Sequence, residues 1–262
     1  MATRATRTAS TLAAFVLHRY DWSETSVILD LFTREQGRLA VAAKGAKRPY
    51  SQLRSVLLPF QRLNVALGRV PKHDASDQQA SEVQNLRSAE WAGGAAMLTG
   101  AALFSGFYLN ELLMKMVARH DPHPALFDVY AQTLPALAAG DEQRVQAALR
   151  AFELTLLKEA GLLPDLSVVT LTPAEVDGET SYALLPEAGV VAVRSGEAQL
   201  AGAALIGLQA ALDHGSLAAL QQACQPVLQE LKTMLRTLLH YHLGTPILRT
   251  RQVMLDVQNL ER

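Results

Sequence analysis

Cysteine is almost absent. Cys224 is the single one in 262 residues, which excludes an internal disulfide and a cysteine-built zinc site and makes a reducing compartment the simplest home. Placed in an apolar helix, that thiol reads as a buried, inert group. Residues 92–109 lack charge of either sign. The run is rich in Ala, holds Gly93, Gly94, Gly100 and Gly106, and meets Asn110 and Glu111 at once, so a buried helix is expected and no membrane span. At the N-terminus Arg4 and Arg7 precede an apolar run, Leu12 to Leu17, too short for a secretory signal and without a cleavage signature. Phosphate-cradling loops are missing too: neither a dinucleotide fingerprint nor a GK[ST] run occurs, and no G-x-S-x-G elbow. The histidines are scattered. His240 and His242 point apart on a helix, His120 and His123 flank a proline, and spacing supplies no third ligand, so neither a metal site nor a cofactor is expected.

Cations, by contrast, are concentrated. The net charge is −1, yet residues 1–72 carry 12 Lys plus Arg against 4 Asp plus Glu, a balance of +8, while the remainder carries 12 against 21, a balance of −9. Such asymmetry suggests an N-terminal module that faces a polyanion, a solvated basic face being the alternative. With 49% apolar residues the chain has ample material for a core.

Within the basic part the apolar period is two. AAFVLHRY, VILDLFT, RLAVAAKGAKR and LLPFQRL, continued through Val65 and Leu67, read as four strands, and SEVQNLRSAEW as a weaker fifth. Phe15 and Leu17 fall on one face of the first and Val16 on the other. In the third, Leu39, Val41 and Ala43 share one face, with Arg38 and Lys44 on the other. Five short strands in about 80 residues fit a small closed barrel better than an open sheet. From Trp91 the period becomes helical: Met97, Ala101, Phe104, Tyr108, Leu112 and Met116 form the stripe of a long helix ending near Arg119. A second helix spans about 125–137. A third is capped by Asp141, ends at Gly161, and buries Val145, Leu149, Phe152 and Leu156. Residues 164–200 break into short β-branched segments, an inserted hairpin region. Helicity resumes near Leu205, and a last amphipathic helix carries Leu231, Leu235 and Leu238, restarting at Pro226 and closing at Gly244 and Pro246. The expected fold class is α+β: an N-terminal barrel over residues 1–90, then a helical domain over 91–262 with a β insertion at about 164–200.

Two candidate sites follow. In the barrel, Arg19, Arg34, Arg38, Lys44, Lys47, Arg48, Arg54 and Arg62 interleave with Tyr20, Trp22, Phe32, Tyr50 and Phe60. Cations neutralise phosphates and aromatic faces stack on unpaired bases, a mixture suited to single strands and shape-tolerant duplex binding. Phe32 and Phe60 are expected inside the barrel, Tyr20 and Tyr50 partly exposed. On the third helix Leu154 and Leu157 sit off the core stripe with Arg150 angularly between them. An arginine over leucines could clamp a peptide end bearing an apolar group and a carboxylate, unless the patch packs on a neighbouring helix. A protein-interaction adaptor with an incidental basic barrel is the competing class, and a hydrolase built on His18, Ser23 and Glu24 has neither a metal nor an oxyanion site to support it.

Several blocks carry a family resemblance. FVLHRYDWSETSVILDLFTREQGRLAVAAKGAKRPYSQLRSVLLPF, LRSAE, FSGFYLNELLMKMVARHDPHPALFDVY, LRAFELTLLKEAGLLPDL and HLGTPILRTRQVM closely resemble the bacterial recombination mediator family RecO, over about residues 12–166 and 238–256. The resemblance implies an OB-fold followed by a helical domain and a non-enzymatic, cytoplasmic, nucleoid-associated role. That role comprises binding single- and double-stranded DNA, annealing complementary strands and, with RecR, helping RecA load on strands coated by single-stranded DNA-binding protein. It also implies that the helical domain grips the acidic, phenylalanine-ended tail of that coating protein, with Arg150 in the LRAFE block matching the family arginine. Some members carry a four-cysteine zinc site in the region equivalent to 164–200. This chain has no cysteine there, so zinc is not carried over.

Overall fold

The computed structural model describes residues 11–68, 83–94, 97–193, 198–244 and 248–260. The arm expected over residues 1–10, the loop over 69–80 and the stop at Pro246 lie outside the described residues. The fold is α+β, and the chain divides into two compact units, Met1–Met97 with Val117–Phe127, and Leu98–Met116 with Asp128–Arg262.

In the first unit, β1 (Thr11–Asp21), β2 (Val27–Thr33), β3 (Gly37–Ala43), the short helix α1 (Leu53–Val56), β4 (Leu63–Leu67) and β5 (Val83–Trp91) follow in order. The strands close into an OB-like barrel in the order β1-β2-β3-β5-β4. All pairs are antiparallel except β3 with β5. Alternation supplies the interior: Leu12, Ala14, Val16, Val27, Leu29, Leu31, Leu39, Val41, Ala43, Leu63 and Val65 form one buried cluster. A register shift between Val16 and His18 ends β1's simple alternation.

The outer side of this wall is also buried, which alternation does not reveal. Phe127 lies 5.2 Å from Phe15 and 5.5 Å from Phe32 between ring centroids, and β3 is buried at every position. Expected on the outward face, Arg38 is in fact buried. Its Nε and Nη2 donate to the two oxygens of Asp30 at 3.2 and 2.7 Å, and its Nη1 donates to the Val117 carbonyl at 2.7 Å. A planar guanidinium serves both oxygens of a buried carboxylate and still has a donor for a carbonyl. Gly37, at φ 68°, makes the approach of residues 117–127 possible, since a Cβ there would stand 2.0 Å from the Asp121 carbonyl oxygen.

The second unit begins with α2 (Gly100–Met116), α3 (Pro124–Ala138) and α4 (Glu142–Glu159). The start expected at Trp91 is corrected, because Trp91 ends β5 and positive φ at Gly93, Gly94 and Gly100 stops a right-handed helix from running through. The expected stripe is corrected with it: Met97 is 79% exposed, and beside Leu112, which the stripe did include, α2 buries Leu109 and Leu113. α4 is capped as expected, Asp141 accepting from the Arg144 amide at 2.8 Å, and is buried almost all round from Ala147 to Leu157. The insertion comprises β6 (Val168–Val169) with β7 (Ala174–Glu175), and β8 (Ser181–Leu185) between β9 (Gly189–Ala192) and β10 (Leu200–Ala201). Hydrogen bonds fasten it: the Thr170 hydroxyl accepts from the Val190 amide at 2.9 Å, and the Thr180 hydroxyl donates to Asp177 at 2.9 Å. Four more helices follow, α5 (Gly202–His214), α6 (Leu217–Cys224), α7 (Leu228–Leu243) and α8 (Arg249–Leu260), with a 3-10 turn at Gln225–Val227 around Pro226. Among the described residues no helix is long and apolar enough to cross a membrane.

Candidate nucleic-acid face and cation-lined cleft

At one end of the barrel two loops are laced together. The β1–β2 turn closes on itself through the Trp22 and Ser23 amides, both donating to the Ser26 carbonyl at 3.3 Å. The loop after β3 then docks on that turn. The Gly45 amide donates to the Ser26 hydroxyl at 3.3 Å, the Lys47 amide to the Thr25 carbonyl at 3.0 Å, and the Lys47 ammonium to the Ser23 carbonyl at 3.0 Å. Lys47 also pairs with Asp21 at 3.2 Å. Arg19, Lys44, Lys47 and Arg48 are thereby gathered at one end with Tyr20, Trp22 and Tyr50, which are 47, 54 and 100% exposed. Phe32 and Phe60 are buried, as expected.

The remaining barrel cations are distributed otherwise. Arg54 is exposed on α1 and Arg62 just before β4. Arg34 is exposed in the turn between β2 and β3, at the opposite end, since Thr33 pairs with Gly37 there and Val27 with Ala43 at the laced end. Arg38, already spoken for by Asp30, is withdrawn from the candidate face. Two cations were missed in the sequence: Arg87, exposed on β5, and Arg119, whose Nη2 lies 3.6 Å from Asp30. Neither stands in a cationic run.

In the second unit a cleft of about 360 Å³ is lined by Phe104 and Tyr108 of α2, Leu149, Arg150 and Glu153 of α4, and Lys232, Arg236, Leu239 and His240 of α7. Leu248, Thr250, Arg251 and Met254 complete it. The structure separates the three residues of the helix-face expectation. Arg150 does line a concave site, but Leu154 and Leu157 are fully buried in helix packing, so they cannot touch a ligand. Apart from Leu149, the cleft's apolar lining comes from other segments, Phe104, Leu239, Leu248 and Met254, which angular reasoning on one helix could not find.

Arg150 and Glu153 form a buried pair, Nη2 to Oε1, at 2.6 Å, and the Tyr108 hydroxyl donates to the same oxygen at 2.7 Å. Arg150 Nε and Glu153 Oε2, both buried, have no hydrogen-bond partner among the described residues. Burial raises the Glu153 carboxyl above the ordinary glutamate range against the opposing pull of Arg150. Burial and the neighbouring Glu153 push the Tyr108 phenol up likewise. Desolvation lowers His240, helped by Arg236 and Arg251. Cys224 is fully buried, and burial pushes its thiol up to about 12, which leaves it inert.

The α8 wall is held by Glu111 of α2. Its carboxylate accepts from the Arg249 and Thr250 amides, each at 2.9 Å, and from the Thr250 hydroxyl at 2.8 Å. An acid serving the first amides of a helix offsets the partial positive charge at that end. Burial works to raise the Glu111 carboxyl, and the bonds from Thr250 and Arg249 outweigh it, leaving it below the ordinary range. No group of three or more His, Cys, Asp and Glu among the described residues is placed to hold a metal ion.

A closed OB-like barrel with cations and exposed rings on one end, followed by a helical unit with a cation-lined cleft, defines a class of two-part binding proteins. Residues 8–87 match the family model for the recombination protein O N terminal and residues 97–252 the model for its C terminal. The DNA repair protein RecO of Albidiferax ferrireducens is 49% identical over 258 residues, covering 98% of this chain and 99% of that one. RecO of Polaromonas naphthalenivorans is 51% identical over 249 residues, covering 94% and 96%. The chain belongs to the RecO family of DNA repair proteins.

Proposed function

We propose that this chain is a non-enzymatic recombination mediator that binds single- and double-stranded DNA without base preference, anneals complementary strands and, with RecR, helps RecA load on coated single strands. The setting is the cytoplasm, at the nucleoid. The observation that carries the reading is the laced end of the barrel, where Arg19, Lys44, Lys47 and Arg48 stand beside Tyr20, Trp22 and Tyr50. Arg54 and Arg62 extend the cationic surface, and Arg34 contributes where strand wraps toward the far end. Lys47, committed to Asp21 and Ser23, contributes less than the exposed Lys44 and Arg48. Phosphate contacts supply affinity while base edges stay available for pairing.

The same reading assigns the cleft to the acidic tail of single-stranded DNA-binding protein. Arg150, Lys232, Arg236 and Arg251 receive its carboxylates, and Phe104, Leu149, Leu239 and Met254 receive its terminal ring. The cleft also supports the competing adaptor reading, in which partner binding is the whole activity and the barrel's charge is incidental.

Affinity for a random-sequence oligonucleotide measured against salt separates the two. Four to six phosphate contacts on a single strand give a log-log slope of about −3 to −4. A slope near zero, or no mobility shift, leaves the adaptor reading alone standing.

A further inference from the structure

The cleft contains an acid where an anion site should exclude one. Glu153 is 1% exposed, and its Oε1 takes both the Arg150 guanidinium and the Tyr108 hydroxyl. Its other oxygen and Arg150 Nε are buried without hydrogen-bond partners among the described residues. An orphaned donor and an orphaned acceptor in one buried pair are costly, and they describe an arrangement completed by something else. A ligand carboxylate would complete the arginine. It would also compete for it, because a second anion beside Glu153 in a dry site is unfavourable while Glu153 stays ionised.

We propose that Glu153 is a specificity-determining residue of the cleft: it holds the Arg150 guanidinium while the cleft is empty, and an incoming carboxylate captures Arg150 as Glu153 takes up a proton. The inference rests on reading the cleft as a peptide-tail site. The proton comes from water and settles on Oε2, the unpartnered oxygen, so Oε1 keeps the Tyr108 hydrogen bond. No other covalent bond forms or breaks; the Arg150–Glu153 ion pair is exchanged for one from Arg150 to the ligand carboxylate. The groups that face Glu153 are Tyr108 on α2, Arg150 on α4, Cys224 on α6, and Lys232 and Arg236 on α7, with His240 and Arg251 farther along the lining. Burial holds Tyr108 and Cys224 in their neutral forms, so His240 is the neighbour to control for. The consequence is selectivity by charge and by proton: an uncharged peptide end gains nothing from Arg150, and a carboxylate end binds more weakly as pH rises.

The test uses the full chain and a fluorescein-labelled peptide of acidic residues ending in a free phenylalanine carboxylate, titrated by anisotropy between pH 5.5 and 8.5. Wild-type affinity is expected to fall with pH, by up to about tenfold per unit for one linked proton. Glu153→Gln is expected to bind about tenfold tighter at the upper end with the slope abolished, and His240→Gln to keep the slope. The same peptide with an amidated end is expected to bind weakly and without pH dependence. A wild-type affinity that is flat in pH, a slope that survives in Glu153→Gln, or a slope abolished by His240→Gln overturns the inference and leaves the tail-site reading intact. No binding of the carboxylate peptide to wild type at any pH overturns both.

Discussion

A single guanidinium decides how much of the barrel's charge is available to a partner. Arg38 spans Asp30 and the Val117 carbonyl while only 7% exposed, so it joins residues 117–127 to the barrel wall and offers nothing to a phosphate. Removing one partner of a buried pair strands the other, and the cost is about 3–5 kcal/mol. Arg38→Ala is therefore expected to lower the thermal midpoint by many degrees. Once folded at low temperature it should bind DNA with unchanged salt slope. Melting curves and a salt titration on one preparation check both halves, and a lost slope with an unchanged midpoint would return Arg38 to the DNA face. The alternation in β3 placed Arg38 correctly on the outer face of the strand. What alternation could not show is the cover over that face, because it comes from residues 79 positions later. Local period reports which residues share a side and is silent on what lies against it.

At the scale of elements, α8 depends on one acid for its place beside the cleft. Glu111 accepts three hydrogen bonds from the first turn of that helix, and Lys115 is 3.7 Å away. Glu111→Ala leaves those amides unserved and is expected to cost about 1–3 kcal/mol. The effect should be local: faster amide exchange from Arg249 to Met254, and weaker binding of the acidic peptide as the wall carrying Arg251 loosens. Its pH sign is opposite to that of Glu153. A carboxyl held below its ordinary range contributes stability that is present above its unfolded value near 4.5 and is lost as pH falls through the lower folded value. Protection factors in α8, with the intrinsic pH dependence of exchange divided out, should thus fall in acid in wild type and hold in Glu111→Ala; an acid-dependent fall retained by the variant would place the control elsewhere. The third helix, its Asp141 cap and the five barrel strands were legible because caps and periods are local signals. The cleft was not, since Phe104, Arg150, Arg236 and Arg251 come from four helices, and the leucines visible beside Arg150 on its own helix serve the core.

For the whole molecule, the proposal places two cationic candidate surfaces in two units, the barrel face in the basic part and the cleft in the otherwise acidic remainder. If the units divide the work as proposed, damage to one should leave the other's ligand untouched. Lys44→Glu with Arg48→Glu reverses charge at exposed positions of the laced loops. Among the described residues neither side chain has an ion pair to lose, and the variant is expected to bind single strands at least tenfold more weakly while binding the acidic peptide as before. Arg150→Ala with Arg236→Ala should do the converse. Annealing of bare complementary strands would then fail in the first variant alone. Annealing of strands coated by single-stranded DNA-binding protein would fail in both, because it needs the coat engaged and the phosphates held together. An equimolar mixture of the two variants makes the sharper measurement. If one chain must grip strand and coat together, the mixture stays inactive on coated strands, since linkage through a single chain is what raises the effective concentration of the second contact. Recovery of coated-strand annealing in the mixture would mean that separate copies can share the task, and the two-unit mechanism within one chain would be wrong.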